Sequence, residues 1–191
     1  MSETVKAQRT DIAIGSLTVD GFMLPDGSYR MSQAQAAEAV NKPPVNALRF
    51  LDSKAIKGLL GKGYTDYTPE QVEIESTGGS RGGTRFNALP LEVITAYWVH
   101  QSTQGNKQAT ALVMALATET LERRFDAAFA VERTEEERNQ LLTDRVQRLE
   151  QDLEALGDAY ALDDEVKRER DRFEELLRQN GIDPYGLPDG E

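Results

Sequence analysis

The apolar positions of this chain change period as the sequence is read forward. From Leu17 they alternate: Leu17, Val19, then Phe22 and Leu24 around Asp20-Gly21. Alternation puts successive side chains on opposite faces of a strand. Pro25-Asp26-Gly27 follows, with Pro setting φ for a turn and Gly accepting positive φ. Ser28-Tyr29-Arg30-Met31 returns, so the pattern predicts a β-hairpin. Ser32 is placed to cap a helix through residues 33–40, rich in Ala, Gln and Glu. Pro43-Pro44 stops it and opens a second helix carrying Val45, Leu48, Phe50 and Leu51, with Leu48 and Leu51 expected inward. Ser53 caps a short third helix with Ile56, Leu59 and Leu60 as its apolar side.

Alternation returns over residues 72–87, where Val72, Ile74 and Phe86 flank the tip Gly78-Gly79-Ser80-Arg81-Gly82-Gly83. Two strands joined by a glycine-rich loop are predicted. Pro90 then opens an apolar helix through Tyr97 and Trp98, and Asn106 caps the next, which holds Ala109, Leu112, Leu121, Phe125 and Phe129. After the cap Thr134 the period becomes that of a coiled coil. Leu142, Val146, Leu149, Leu153, Leu156 and Tyr160 are spaced four, three, four, three, four. Gly157 and residues 161–164 are expected to interrupt that helix before a last one over about 164–179. The seam would join copies of the chain, or the last helix would fold back on it as an intramolecular hairpin.

The predicted class is α+β: a small hairpin-plus-helices head, then long helices and a coiled-coil-like tail. The expected boundaries are a flexible arm over 1–13, the head over 14–130, and an acidic helical tail over 131–191. Charge sharpens that division. Residues 1–127 hold 13 Lys/Arg and 14 Asp/Glu, whereas 128–191 hold 9 and 19. The overall charge of -11 opposes non-specific nucleic-acid affinity, which cations on phosphate mostly supply, but leaves room for a local basic face. The absence of Cys excludes disulfides, thiolate nucleophiles and Cys-ligated metal. With no secretory signal and no spanning apolar run, the chain reads as cytoplasmic, with no membrane partner.

Catalytic chemistry finds little to work with. The one His, His100, sits beside Trp98 in an apolar helix and reads as a packing residue. Asp163, Asp164 and Glu165 lack the alternating spacing of a calcium loop. The glycine-rich tip lacks the Lys-Ser/Thr ending of a phosphate-binding loop and precedes a strand. No cofactor, metal or enzymatic activity is expected. Binding chemistry is better represented. Residues 32–60 resemble a helix-turn-helix, and 42–64 carry Lys42, Arg49, Lys54, Lys57 and Lys62 against Asp52 alone. Asn46 lies three residues before Arg49, and both types read base edges. Arg81 and Arg85, at a hairpin wing, would add phosphate or minor-groove contacts.

The order of these segments carries a family likeness. A hairpin precedes Ser32-Gln-Ala-Gln-Ala-Ala-Glu-Ala-Val40, then Val45-Asn-Ala-Leu-Arg-Phe-Leu51, and a glycine-rich hairpin ends Thr84-Arg-Phe-Asn-Ala-Leu-Pro-Leu91 at another helix. This resembles the Bro and KilA N-terminal modules of phage antirepressors and large DNA viruses, over about residues 14–104. The resemblance implies DNA binding and transcription regulation. The head departs from it in being neutral overall, and the C-terminal half is an acidic helix. The leading expectation is therefore a DNA-binding regulator that forms homo-oligomers through its tail. The alternative is a non-enzymatic assembly factor or inhibitor that meets a protein partner through the acidic coiled coil.

Overall fold

The computed structural model of the protein describes residues 5–64, 69–74, 85–181 and 183–185. The architecture is α+β, with strands β1 (Val5–Ile14), β2 (Leu17–Met23), β3 (Tyr29–Ser32), β4 (Glu70–Ile74) and β5 (Arg85–Pro90). The helices are α1 (Gln33–Glu38), α2 (Pro44–Leu51), α3 (Lys54–Leu60), α4 (Leu91–Thr103), α5 (Lys107–Phe129) and α6 (Glu135–Gln179). Two compact units, Met1–Glu150 and Gln151–Glu191, divide the chain. Among the described residues no helix is long and apolar enough to cross a membrane.

The strands order β1-β2-β3-β5-β4 and close into a barrel, because β4 pairs parallel with β1, Val5 opposite Val72. Alternation divides each strand between two cores. Phe22 of β2, Val72 of β4 and Ala88 of β5 point into the barrel, where the Phe22 and Phe86 rings lie 4.2 Å apart. Val19, Met31 and Leu89 point the other way, into a larger core shared with α1 to α5.

The expected arm over 1–13 is corrected for residues 5–13, which form most of β1. Gln8 to Ile14 pair antiparallel with Met23 to Leu17 through a two-residue turn. Gly15 takes φ +62° there, as tight hairpin turns require. The strand escaped the hydrophobic pattern because its apolar residues fall on both faces, with Ala7 buried and Ile12 41% exposed. Backbone pairing defines it instead, with Arg9 Nε donating to Asp20 Oδ1 across the strands at 2.7 Å.

The other turns follow the predicted chemistry. The Ser32 hydroxyl accepts from Gln35 N at 3.2 Å and starts α1. Ser53 Oγ accepts from Ala55 N at 3.2 Å and donates to the Phe50 carbonyl at 2.7 Å, which welds α2 to α3. Asn106 caps α5 and donates to the Val40 carbonyl at 2.7 Å. Thr134 and Glu137 form a reciprocal capping box at α6. Helix α4 lies innermost: Val93, Ile94, Ala96, Tyr97, Trp98 and Gln101 are buried. Trp98 Nε1 donates to the Ala36 carbonyl at 2.8 Å.

Two boundary expectations change. The first unit extends to Glu150 instead of ending near residue 130. Helix α6 also runs unbroken through Gly157 and 161–164, so the helical break required for a fold-back hairpin is absent. One glycine costs a helix about 1 kcal/mol relative to Ala, too little to outweigh the strong helix formers around it. In the second unit, Asn180 Nδ2 donates to the Leu176 carbonyl at 2.7 Å and Gly181 takes φ +73°, ending the helix.

Burial pushes the Tyr97 phenol up to about 12, from an ordinary value of 10.0. A raised folded value means the neutral phenol favours the folded state. Its contribution is whole below pH 10 and is lost as pH rises towards 12. Urea midpoints across that window should therefore fall more steeply in the native chain than in Tyr97→Phe. Parallel slopes would show that Tyr97 titrates as an exposed phenol.

Candidate nucleic-acid interface

Helices α2 and α3 present one face to the core and the opposite one to solvent. Ala47, Phe50, Leu51 and Ile56 are buried, and the Phe50 ring packs 5.5 Å from Tyr97 and 5.2 Å from His100. Helical spacing then turns Arg49 outward on α2, and Lys54 and Lys57 outward one turn apart on α3. All three are exposed. None has a carboxylate within 4.0 Å among the described residues. Lys42 is half-buried just before α2. Lys62 begins a 3-10 turn, Lys62–Tyr64, after α3.

The same face is more apolar than expected. Val45, Leu48 and Leu59 are 46%, 41% and 46% exposed. Leu48 thus does not join Leu51 in the core, because the position one turn before the buried pair Phe50–Leu51 is Ala47. The surface mixes cationic heads with aliphatic side chains, which suits a partner offering both anionic groups and apolar edges.

Two other assignments change. Asn46 faces inward: its Oδ1 accepts from Gln101 Nε2 at 2.9 Å and from the Tyr97 hydroxyl at 3.4 Å. It anchors α2 to α4 and is not presented to a base edge. Arg85 pairs with Glu73 at 3.5 Å, an exposed contact of the kind worth little. Arg81 and the glycine tip lie outside the described residues.

The seam also divides. Leu142 is 3% exposed. It lines a cleft of about 350 Å³ with Ile12 and Ala13 of β1 and Glu119 and Arg123 of α5. Val146 meets Ile14, Leu17, Ala39 and Leu112 around a smaller cleft of about 80 Å³. Leu149 and Leu153 are half-buried, Leu156 is 53% exposed, and the Tyr160 side chain lies outside the described residues. The start of the predicted self-pairing stripe therefore seals the first unit, which corrects the assignment of Leu142 and Val146 to oligomerisation.

Polar contacts that the sequence pattern did not reveal lock this arrangement. Asn139 embraces Gly15, accepting from its N–H at 2.8 Å and donating to its carbonyl at 3.0 Å. The buried carboxylate of Asp126 pairs with Arg138 at 3.0 Å and Arg133 at 3.4 Å. Arg145 reaches Glu122 at 2.6 Å. Hydrogen bonds that Arg123 donates to Glu135, then Glu119, raise the Arg123 pKa, and Arg123 in turn lowers that of Glu135. A usable signal was present: Arg138 and Arg145 are one heptad apart, opposite Asp126 and Glu122, which are four apart on α5.

A further concavity lies on the barrel's outer face. It holds about 460 Å³ and is lined by Ile12, Val19, Met23, Tyr29, Met31 and Leu91 among others. Gly21 makes part of this room, since a Cβ there would sit 2.5 Å from Ile12 Cγ1. Its chemistry is that of an apolar groove. Among the described residues no group of three or more His, Cys, Asp or Glu is arranged to hold a metal ion.

No family model, curated protein or solved structure matches this chain.

The division of the seam is measurable by thermal or urea unfolding. Leu142→Ala should destabilise the first unit by about 2–4 kcal/mol, as for a buried leucine. Leu156→Ala should stay within about 0.5 kcal/mol, as for an exposed site. Equal effects at the two positions would return Leu142 to an intermolecular role.

Proposed function

We propose that the protein binds duplex DNA through the outward face of α2 and α3, as a non-enzymatic regulator of transcription. The observation that carries this is the set Arg49, Lys54 and Lys57: exposed, on adjacent short helices, and without ion-pair partners among the described residues. Cations tied to neighbouring carboxylates, like Arg123, Arg138 and Arg145, have less to gain from phosphate. Free ones release counterions from DNA and gain affinity. The resemblance of residues 14–104 to phage antirepressor modules points in the same direction. With Asn46 turned inward, the reading rests on phosphate contacts, and sequence preference falls to side chains beyond those named. Three cations make weak binding alone, so two or more heads acting together would raise affinity through effective concentration. The tail's part in that is smaller than its pattern suggests, because Leu142 and Val146 face inward.

A second reading is supported by the 460 Å³ groove on the barrel. An apolar concavity of this kind suits an apolar side chain of a protein partner, and would make the chain an assembly factor or inhibitor.

Fluorescence anisotropy on a labelled duplex, titrated across salt, separates the two. The DNA reading predicts binding at low salt that weakens steeply as salt rises. Arg49→Gln/Lys54→Gln/Lys57→Gln should flatten the log–log salt slope by about 3, near one unit per lost phosphate contact. No binding at low salt, or an unchanged slope in the triple variant, would reject it.

A further inference from the structure

Helix α5 has a face with no counterpart among the described residues of the first unit. Its early turns bury Ala109, Ala111, Leu112 and Ala115. Further along, Glu119, Glu122, Arg123 and Asp126 bind within α5 or to the α5–α6 junction and α6. The opposite face is open and largely apolar, with the exposed Arg124 at its edge. Met114, Leu121, Phe125 and Phe129 are 52%, 57%, 62% and 74% exposed, and the Phe125 and Phe129 rings stack 6.4 Å apart. Ala117, Thr118 and Ala128 share the stripe and are also exposed. None of these seven residues is charged.

The four large side chains together leave on the order of 400 Å² of apolar surface to water, within the range of the largest patch on a typical monomer. Covered on both sides with its polar margin, such a patch approaches the roughly 1,000 Å² that a specific interface needs.

The order of residues along the stripe says what covers it. Met114, Ala117, Thr118 and Leu121 stand at i, i+3, i+4 and i+7, the four corners of a hole on a helix surface. Two of those corners are small, leaving a depression between the large ones. Phe125 is the knob that fits it. In an antiparallel pair with its two-fold axis at Leu121, Phe125 of one copy stands level with Ala117 of the other. It then enters the hole that Ala117, Thr118 and the two larger corners frame. Met114 stands level with the partner's Ala128, and Leu121 with the partner's Leu121. The stripe is thus its own complement, as an isologous interface demands. An unrelated partner would have to supply that complement by chance.

We propose that the exposed face of α5, Met114 to Phe129, is a two-fold interface with a second copy of this chain, antiparallel about Leu121. The interface does not depend on DNA binding, and it places the joining of copies in the first unit instead of the tail seam. Two α2–α3 faces would then be held in one particle.

The chain contains no Cys, so single introduced cysteines report the geometry directly. Under mild oxidation, Leu121→Cys should cross-link to its own counterpart in most of the full-length protein, because the two sites meet at the axis. Ala128→Cys alone should not, since its counterparts would lie about 20 Å apart along the helices. Met114→Cys/Ala128→Cys should cross-link again. In sedimentation equilibrium, Phe125→Asp should raise the dimer dissociation constant on the order of 100-fold. Its circular dichroism and melting temperature, compared at monomer concentrations, should match the native chain. Leu153→Asp/Leu156→Asp should leave the dimer intact. Three results would overturn the interface: a monomeric native chain, equal cross-linking at Leu121→Cys and Ala128→Cys, or a dimer that survives Phe125→Asp and dissolves with the tail variant. The last would place the contact on α6. Loss of DNA binding with the dimer intact would bear only on the other proposal.

Discussion

Burial of α4 organises the first unit. Six of its thirteen residues are buried, including Tyr97 and Trp98, and they fall on more than one side of the helix. A helix lacking a continuous polar face has to be wrapped by its neighbours. Strands β3 and β5 cover one side, while α1, α2, α3 and α5 cover the rest. Its two large polar-tipped residues are satisfied by those neighbours, Trp98 by the Ala36 carbonyl and Tyr97 by Asn46. Removing either partner would leave a buried polar group unpaired, a loss of about 1–3 kcal/mol.

That wrapping determines what remains outside. Once Phe50, Leu51 and Ile56 of α2 and α3 meet α4, Arg49, Lys54 and Lys57 have only solvent to face, beside the exposed Val45, Leu48 and Leu59. Helix α5 is long enough to leave the shared core. Its first half packs on α4, and its second half extends beyond to receive α6 through ion pairs on one side only. The basic surface and the apolar stripe are thus both by-products of one packing constraint.

The elements with strong local signals were legible in the sequence. Ser32, Ser53, Asn106 and Thr134 start helices α1, α3, α5 and α6 with side-chain caps, and Pro25-Asp26-Gly27 turns between β2 and β3. Strand β1 was not legible, since most of its support is long-range backbone pairing and not a periodic core face. The seam at Leu142 and Val146 was legible as an apolar stripe but not as to its partner. A heptad spacing states which side chains share a face, and packing on β1 and α5 satisfies it as well as a second copy would. Asn46 misled for a related reason. An amide that can read a base can equally satisfy a buried Gln and Tyr, and only the fold decides which way α2 is rolled. Arg49, Lys54 and Lys57 were found because exposed cations on short helices need no long-range information.

Amide hydrogen exchange on the full chain, with and without duplex DNA at low salt, tests the central claim most directly. The account predicts that α4 amides exchange last in the free protein, by global unfolding alone, and that DNA adds protection at residues 44–60 while leaving β1 to β3 unchanged. Exchange in α4 faster than in α5 or β5 would contradict the wrapping of the fold around that helix. Protection appearing on the barrel groove, or nowhere, would contradict the function drawn from it.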